Sequence, residues 1–323
     1  MAQTGIRFDR RAILITGAAR GLGRVQALLL ASRGARVIVA DNGVAMDGED
    51  ADASPAETVV AEIRAAGGEA VAFTGDIATE VGATRAIEAS MEAFNRIDGI
   101  VHYASTSPNL KTADKLSSRD LDLVMRVNPF AGLWMARAAW PPMLAQRYGR
   151  IVYMPSGGIY GALGNTDYAA AKAAYIGMIR CLALEGLQHG ILVNAVAPSA
   201  RTRMTERFHP SPYADWFFKT MTPEKVAVGV AYLLSEECEI YGEIFAMGGG
   251  RIARVTLAES EGVMEAGSSI EDVRDAMPRV MTDTKFFYPK DLSVRSVKVA
   301  DLFGFQGGLE ANTAYAVRPV GKD

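Results

Sequence analysis

Two cysteines, Cys181 and Cys238, are all that the 323 residues contain, one in a helical stretch and one beside an acidic pair. They build neither a disulfide framework nor a zinc site, which points to a reducing compartment. Histidine is as scarce. His102, His189 and His209 stand at no metal-ligand spacing, so no metal is expected and all three read as structural or surface residues. No apolar run approaches the ~20 residues of a membrane span, and Met1-Ala2-Gln3-Thr4-Gly5 opens no signal peptide. The final Gly321-Lys322-Asp323 is no peroxisomal address. Lysine and arginine form no cluster, and with a net charge of −3 nucleic acid is not an expected partner. These absences leave a cytoplasmic protein without membrane association, and 49% hydrophobic residues suffice for a large core.

What is present is alternation. Short β-rich runs at 12–16, 36–40, 70–74, 98–103, 150–154, 191–196 and 243–247 are separated by helical patterns near 22–33, 55–66, 80–95, 118–146, 166–188 and 223–235. Strands separated by helices imply right-handed crossovers and a parallel sheet. Residues 1–250 are expected to form one domain and residues 251–323 a C-terminal extension with one helix near 269–279. Two interruptions stand out. Residues 42–54 carry Asp47, Glu49, Asp50 and Asp52 at a spacing that fits no calcium loop, and read as a solvated insert. Residues 199–222 are long enough to act as a lid.

Thr16-Gly17-Ala18-Ala19-Arg20-Gly21-Leu22-Gly23 lies between the apolar run Ala12–Ile15 and the helical pattern from Val25. A glycine-rich turn there lets backbone approach a pyrophosphate, and the helix N-terminus supplies free N–H groups and a favourable dipole. Eighteen residues after Gly23, the run Val37–Ala40 ends in Asp41. A carboxylate at that point accepts hydrogen bonds from ribose hydroxyls and repels a 2′-phosphate. The fold class is therefore α/β, a Rossmann-like doubly wound parallel sheet of seven strands, with NAD as the expected cofactor. Arg20 argues for a 2′-phosphate, but the closer Asp41 is expected to prevail.

Further along, Tyr168 and Lys172 stand four residues apart in a helix-forming run that Asn165, Thr166 or Asp167 can cap. An ammonium on the same face favours phenolate and lowers the phenol's pKa, which suits proton exchange near neutral pH.

Together these segments resemble the short-chain dehydrogenases/reductases: Thr16–Gly23 matches their Thr-Gly-x-x-x-Gly-x-Gly, and Tyr168/Lys172 their Tyr-x-x-x-Lys. Asn128 matches the asparagine of their catalytic tetrad, and Asp76 the acidic residue beside adenine. Within the family the chain is most similar to the (3R)-hydroxyacyl-CoA dehydrogenase domain of the multifunctional β-oxidation enzyme type 2, through the insert after Asp41, Gly149–Val152, Gly158–Gly161, Ala197-Pro198 and Arg203–Thr205. The resemblance implies that Tyr168 exchanges the proton on the substrate oxygen, Lys172 tunes it and binds the nicotinamide ribose, Ser156 orients the carbonyl and Asn128 holds a relay water. Cofactor contacts are implied for Gly17, Arg20, Gly21, Leu22 and Gly23 in the first turn. Beyond it they are implied for Asp41, for Asp76 and Ile77, and for Ala104, Lys172, Pro198 and Thr202. A homodimer or homotetramer is implied through the small-residue face Ala169, Ala170, Ala173, Ala174 and Gly177, residues that equally suit packing on the sheet.

Three positions depart from the family pattern. His102-Tyr103-Ala104-Ser105 replaces Asn-Asn-Ala-Gly, and its bulk is expected to crowd the cofactor bed. Pro155 stands thirteen residues before Tyr168, where the family has serine, leaving Ser156 one position short. Pro198-Ser199 replaces Pro-Gly. These departures keep open a second reading, a non-catalytic or repurposed homologue serving as a binding or scaffold subunit. The leading reading is an NAD-dependent oxidoreductase interconverting a secondary alcohol and a ketone. Phe208, Tyr213, Trp216, Phe217 and Phe218 in the lid suit a bulky apolar substrate or ordinary packing. Arg201, Arg203, Arg207 and Lys219 suit a coenzyme A phosphate or a solvated face. A (3R)-hydroxyacyl-CoA leads, a hydroxysteroid or other alicyclic alcohol next.

Overall fold

A computed structural model describes residues 5–44, 52–106, 110–264, 267 and 269–305. Asp47, Glu49 and Asp50 of the insert lie outside them. The chain divides into two compact units, Met1–Arg254 and Val255–Asp323.

In the first unit every residue of β1 (Ala12–Thr16) is buried, as are nearly all those of β2 (Arg36–Ala40), β4 (Gly99–His102), β5 (Gly149–Tyr153) and β6 (Ile191–Pro198). Strands buried on both faces read as continuous apolar runs, which is why the sequence displays them plainly. With β3 (Glu69–Phe73), β7 (Ile244–Gly248) and β8 (Arg251–Val255) they form one sheet in the order β3-β2-β1-β4-β5-β6-β7-β8. Pairing from β3 through β7 is parallel, with Thr16 level with Ala40 on one side and His102 on the other.

Helices cover both faces. On one, α1 (Gly21–Ser32) packs against α2 (Ser54–Ala65) and α8 (Glu224–Leu234). On the other, α3 (Glu80–Phe94) packs against α5 (Ala131–Gln146), and α4 (Ser118–Met125) against α6 (Thr166–Gly186). The chain winds outward from β1 to β3, then returns to β4 beside β1. That reversal opens a crevice at the carboxyl ends of β1 and β4, where open α/β sheets bind ligands.

The sheet has eight strands rather than the expected seven. Gly249 and Gly250, at φ +62° and +94°, turn the chain back within two residues. Such a turn makes a hairpin without a crossover helix, so the helix-strand alternation that revealed the other strands gave no sign of β8. Residues 251–254 accordingly belong to the first unit and not to the extension.

The pattern read as one helix over 118–146 is α4, a π-helical turn at Arg126–Phe130, and α5. Pro129 lies in that turn and has no N–H to return to the preceding turn, which favours the wider winding. The lid interval folds as α7 (Pro212–Thr220), with Ser211 capping its N-terminus through the Ala214 N–H.

In the second unit, β9 (Glu259–Ser260) pairs antiparallel with β10 (Phe286–Phe287); α9 (Ile270–Thr282) lies between the two strands in the chain and α10 (Leu292–Leu302) after them. Arg295 holds Glu259 there through two hydrogen bonds of 2.5 and 2.7 Å.

Candidate active site

The turn after β1 is shaped by two close approaches. Gly17 adopts φ +65°, and a Cβ there would lie 2.9 Å from the backbone nitrogen of Ala104. A Cβ on Gly23 would fall 2.1 Å from the Gly17 carbonyl oxygen. Only glycine lets β1, β4 and the first turn of α1 meet this closely. No side chain caps α1, so its leading N–H groups are free for an anion.

A cleft of about 200 Å³ opens beside this turn, lined by Gly17, Asp41, Asp76, Ile77, Tyr103, Ala104, Ser105 and Arg203, among others. Asp41 Oδ2 accepts from the Ala19 N–H (2.9 Å) and Oδ1 from the Gly43 N–H (2.8 Å). Each oxygen retains acceptor capacity for a ribose hydroxyl. Asp76 Oδ1 accepts from the Ala78 N–H at 2.9 Å, which fixes the third loop of the cleft. Arg20 donates to the Gly43 carbonyl at 3.3 Å. Arg203, for which the sequence leaves open a coenzyme A phosphate or a solvated face, lines this cleft. Burial lowers its pKa, the charge of Arg20 acts the same way, and Asp41 opposes both. Arg20, Gly21, Leu22, Gly23, Pro198 and Thr202 are not among the lining residues. Thr202 lies near the turn, its γ-methyl 3.9 Å from where a Gly21 Cβ would stand.

α6 brings Tyr168 and Lys172 to one face. Neither Asn165 nor any other side chain caps its N-terminal residue, but Asp167 Oδ1 accepts the Tyr168 N–H at 2.8 Å. Lys172 is buried, donates to the Met154 carbonyl at 2.8 Å, and has its Nζ 5.5 Å from the centre of the Tyr168 ring. Burial brings the Lys172 pKa down to about 7. The expectation that the ammonium lowers the phenol's pKa is corrected here. Burial raises Tyr168, and the opposing influences are the hydroxyls of Ser156 and Ser105. Desolvating a phenolate outweighs what two neutral donors return.

Ser156 stands one residue out of the family register, and its hydroxyl still acts to lower the phenol's pKa. Its Oγ accepts from the Gly158 N–H at 3.0 Å, starting the 3-10 turn Gly157–Tyr160 that sets the side chain's direction.

Asn128 occupies the π turn and is fully buried. Its Nδ2 donates to the Val124 carbonyl at 2.8 Å, and its Oδ1 is buried without a hydrogen-bond partner. Its backbone carbonyl is taken by His102 Nε2 at 3.0 Å. The tautomer follows from the neighbours. The Asn128 carbonyl can only accept, so Nε2 carries the ring proton, and Nδ1 accepts from the Thr16 hydroxyl at 2.7 Å, whose Oγ1 in turn accepts the Ala104 N–H at 3.1 Å. Burial, aided by the charge of Lys172, pushes His102 down to about 4. The imidazole thus stays neutral between the rings of Tyr153 and Tyr175. The expected crowding of the cofactor bed by His102 is corrected by this geometry, because the side chain is buried behind the cleft and does not line it. Tyr103 does line the cleft, with its hydroxyl donating to Gln26 Oε1 at 3.0 Å. Among the described residues no three His, Cys, Asp or Glu side chains gather as a metal site, and no helix is long and apolar enough to cross a membrane.

Residues 11–211 match the family model described as short chain dehydrogenase. The chain belongs to the short-chain dehydrogenase family. It is 42% identical over 265 residues to a Mycobacterium tuberculosis protein named as a short-chain type dehydrogenase/reductase, covering 81% of this chain and 91% of that one. It is 37% identical over 286 residues to the Drosophila melanogaster peroxisomal multifunctional enzyme type 2, covering 87% of this dehydrogenase but 46% of the longer relative. The solved full-length structure of that enzyme superposes with a TM-score of 0.76 at 30% identity, covering 93% of this chain and 50% of the other. A 7α-hydroxysteroid dehydrogenase solved with NADH and 7-oxo glycochenodeoxycholic acid has a TM-score of 0.67 at 25% identity, covering 76% and 95%. The short-chain dehydrogenase described here is accordingly an oxidoreductase.

Proposed function

We propose that this short-chain dehydrogenase uses NAD to interconvert a secondary alcohol and a ketone on a bulky apolar substrate, a (3R)-hydroxyacyl-CoA first and a hydroxysteroid second. The observation that carries the reading is the convergence of Tyr168, Lys172 and Ser156 from two elements, with Asp41 presenting spare acceptor capacity in the adjoining cleft. The Gly17–Gly23 turn and the uncapped N-terminus of α1 fit a pyrophosphate, and Asp41 fits a ribose without a 2′-phosphate.

A bound nicotinamide supplies or accepts the hydride. Tyr168 holds the proton that the carbonyl oxygen acquires in reduction, or takes it from the alcohol in oxidation. Ser156 donates to the same oxygen and orients it. Lys172, anchored on Met154, keeps its amine against the phenol and is the group through which Tyr168 is reprotonated. Asn128 Oδ1 remains a buried acceptor for a water on that route.

The apolar character of the substrate rests on the rings of α7 and the loop before it. Phe208, Phe217 and Phe218 pack with centroids 5.1 to 6.1 Å apart, while Trp216 and Tyr213 are exposed. The pairing of Ser156 with Tyr168 and the withdrawal of His102 from the cleft weigh against the scaffold reading. Self-association through α6 suits Gly177, where a Cβ would meet open space. A cytoplasmic setting suits the cysteine content.

Fluorescence titration with NADH and NADPH tests the cofactor. NADH is expected to bind about tenfold tighter or more, given the carboxylate at the ribose. Tighter NADPH binding would overturn the assignment and transfer the decisive role to Arg20 and Arg203. Reduction of acetoacetyl-CoA and of a steroid ketone, followed at the NADH absorbance band, then ranks the substrates.

A further inference from the structure

His102 stands where the family pattern has asparagine, and its side chain is buried. It closes β4 level with Thr16 of β1 on one side and Tyr153 of β5 on the other. A continuous line of hydrogen bonds passes through it. The Ala104 N–H donates to Thr16 Oγ1 at 3.1 Å, the Thr16 hydroxyl to His102 Nδ1 at 2.7 Å, and His102 Nε2 to the Asn128 carbonyl at 3.0 Å. Ala104 and Val127, the residue before Asn128, both line the cleft, so this line ties two of its walls together from behind.

Only an imidazole serves both ends, because one neutral ring accepts at Nδ1 and donates at Nε2. An asparagine amide in its place reaches as far as Nδ1, and a glutamine amide as far as Nε2. The asparagine of the family pattern is too short to span both, so the bond to Asn128 comes with the histidine. Packing fixes the ring plane. His102 meets Tyr153 and Tyr175 edge-on, with centroids 6.5 and 6.4 Å away. Gly132 of α5 leaves room for these rings, since a Cβ there would fall 2.9 Å from Tyr153 Cε1 and 3.4 Å from His102 Cδ2.

The far end of the line lies beside the catalytic helix. The π turn that carries Asn128 packs against α6, and Lys172 Nζ lies 5.6 Å from the centre of the same Tyr175 ring that His102 touches. The Asn128 side-chain amide bonds back to Val124 within its own helical segment, and its Oδ1 has no partner. The tie from Asn128 to the sheet therefore runs through its backbone carbonyl. Resting on the proposed role of Asn128, we infer that His102 is a positioning residue, which holds the Asn128 carbonyl against the ends of β1 and β4 and so fixes where Asn128 Oδ1 stands beside α6. A small displacement of an acceptor on a proton route costs rate and leaves binding intact.

The test compares His102→Asn, which keeps a partner for Thr16, with His102→Gln, which keeps the donor to Asn128. In oxidation of 3-hydroxybutyryl-CoA, His102→Asn is expected to lower kcat about tenfold, with KM and NADH affinity within about twofold of wild type. His102→Gln is expected to restore kcat to within about threefold. The solvent deuterium isotope effect on kcat should rise in His102→Asn alone, where the proton route has become slow. Equal kcat in the two variants, or the opposite ranking, would overturn the role, since the Thr16 bond or packing alone would then account for His102. The side-chain amide resonances of Asn128 give a reading that needs no turnover. They should move in His102→Asn and stay near their wild-type positions in His102→Gln. If neither variant folds, the ring nitrogens of wild-type His102 decide by 15N resonance: a proton on Nε2 alone is expected at pH 7, and one on Nδ1 would overturn the inference. If wild type oxidises neither the thioester nor a hydroxysteroid while the amide ranking holds, the assigned reaction falls and the positioning by His102 stands.

Discussion

Tyr168 and Lys172 lie one helical turn apart, and burial moves both toward their neutral forms, the phenol upward and the amine down to about 7. Their ordinary values lie near each other in water, so burial drives the two apart and favours the pair with both groups neutral. Tyr168→Phe is expected to reduce turnover at least a thousandfold, as loss of an essential proton donor does, while NADH affinity changes less than about twofold. Steady-state kinetics beside fluorescence titration checks this, and an active variant would refute the proton role. His102 offers a separate pH signature. It stays neutral in the fold down to about 4, whereas an unfolded histidine takes up a proton near 6.5. The unfolded chain binds more protons between those values, so stability falls as pH drops through that window, by about 3 kcal/mol at its lower end. Urea midpoints at pH 7 and pH 5 should show a larger loss for wild type than for His102→Gln.

At the scale of elements, the π turn between α4 and α5 is where winding and function meet. Asn128 precedes Pro129, whose missing N–H favours the wide turn that aims the Asn128 carbonyl at His102. Pro129→Ala restores a donor and permits regular α-helical winding. The expected result is a stable protein with thermal midpoint at or above wild type and kcat reduced about tenfold, since the Asn128 geometry shifts. Helix α7 separates two kinds of aromatic residue. Phe217 is buried and Trp216 is about half exposed. Phe217→Ala is expected to cost about 3 kcal/mol of stability, as for a phenylalanine taken from a core, measurable by denaturant unfolding. Trp216→Ala should leave stability within about 0.5 kcal/mol and raise KM for apolar substrates.

Across the whole molecule, the site depends on parts far apart in sequence. Turns after β1, β2, β3 and β4 supply the cleft, while β5 and α6 supply Ser156, Tyr168 and Lys172. The proposed self-association is also a property at this scale. Gly177→Arg on α6 is expected to shift the protein to smaller species in sedimentation velocity without loss of secondary structure, and an unchanged distribution would exclude α6 as the contact.

The parallel strands were legible because burial on both faces writes them as apolar runs. The turn after β1 was legible because close backbone approach tolerates only glycine at Gly17 and Gly23. Tyr168 and Lys172 were legible because helical spacing alone brings them to one side. The rest depended on contacts between segments. β8 escaped because a hairpin lacks the crossover helix that marks its neighbours, and the π turn because periodicity continues almost unbroken across it. The tertiary structure alone decided that His102 turns away from the cleft to join Thr16 to Asn128, that Arg203 lines the cleft, and that burial outweighs the neighbouring hydroxyls in setting the Tyr168 phenol. Local spacing determines which groups share a turn or a face. Desolvation and partner choice are set by what the remainder of the chain places around them, and those carry the chemistry of this site.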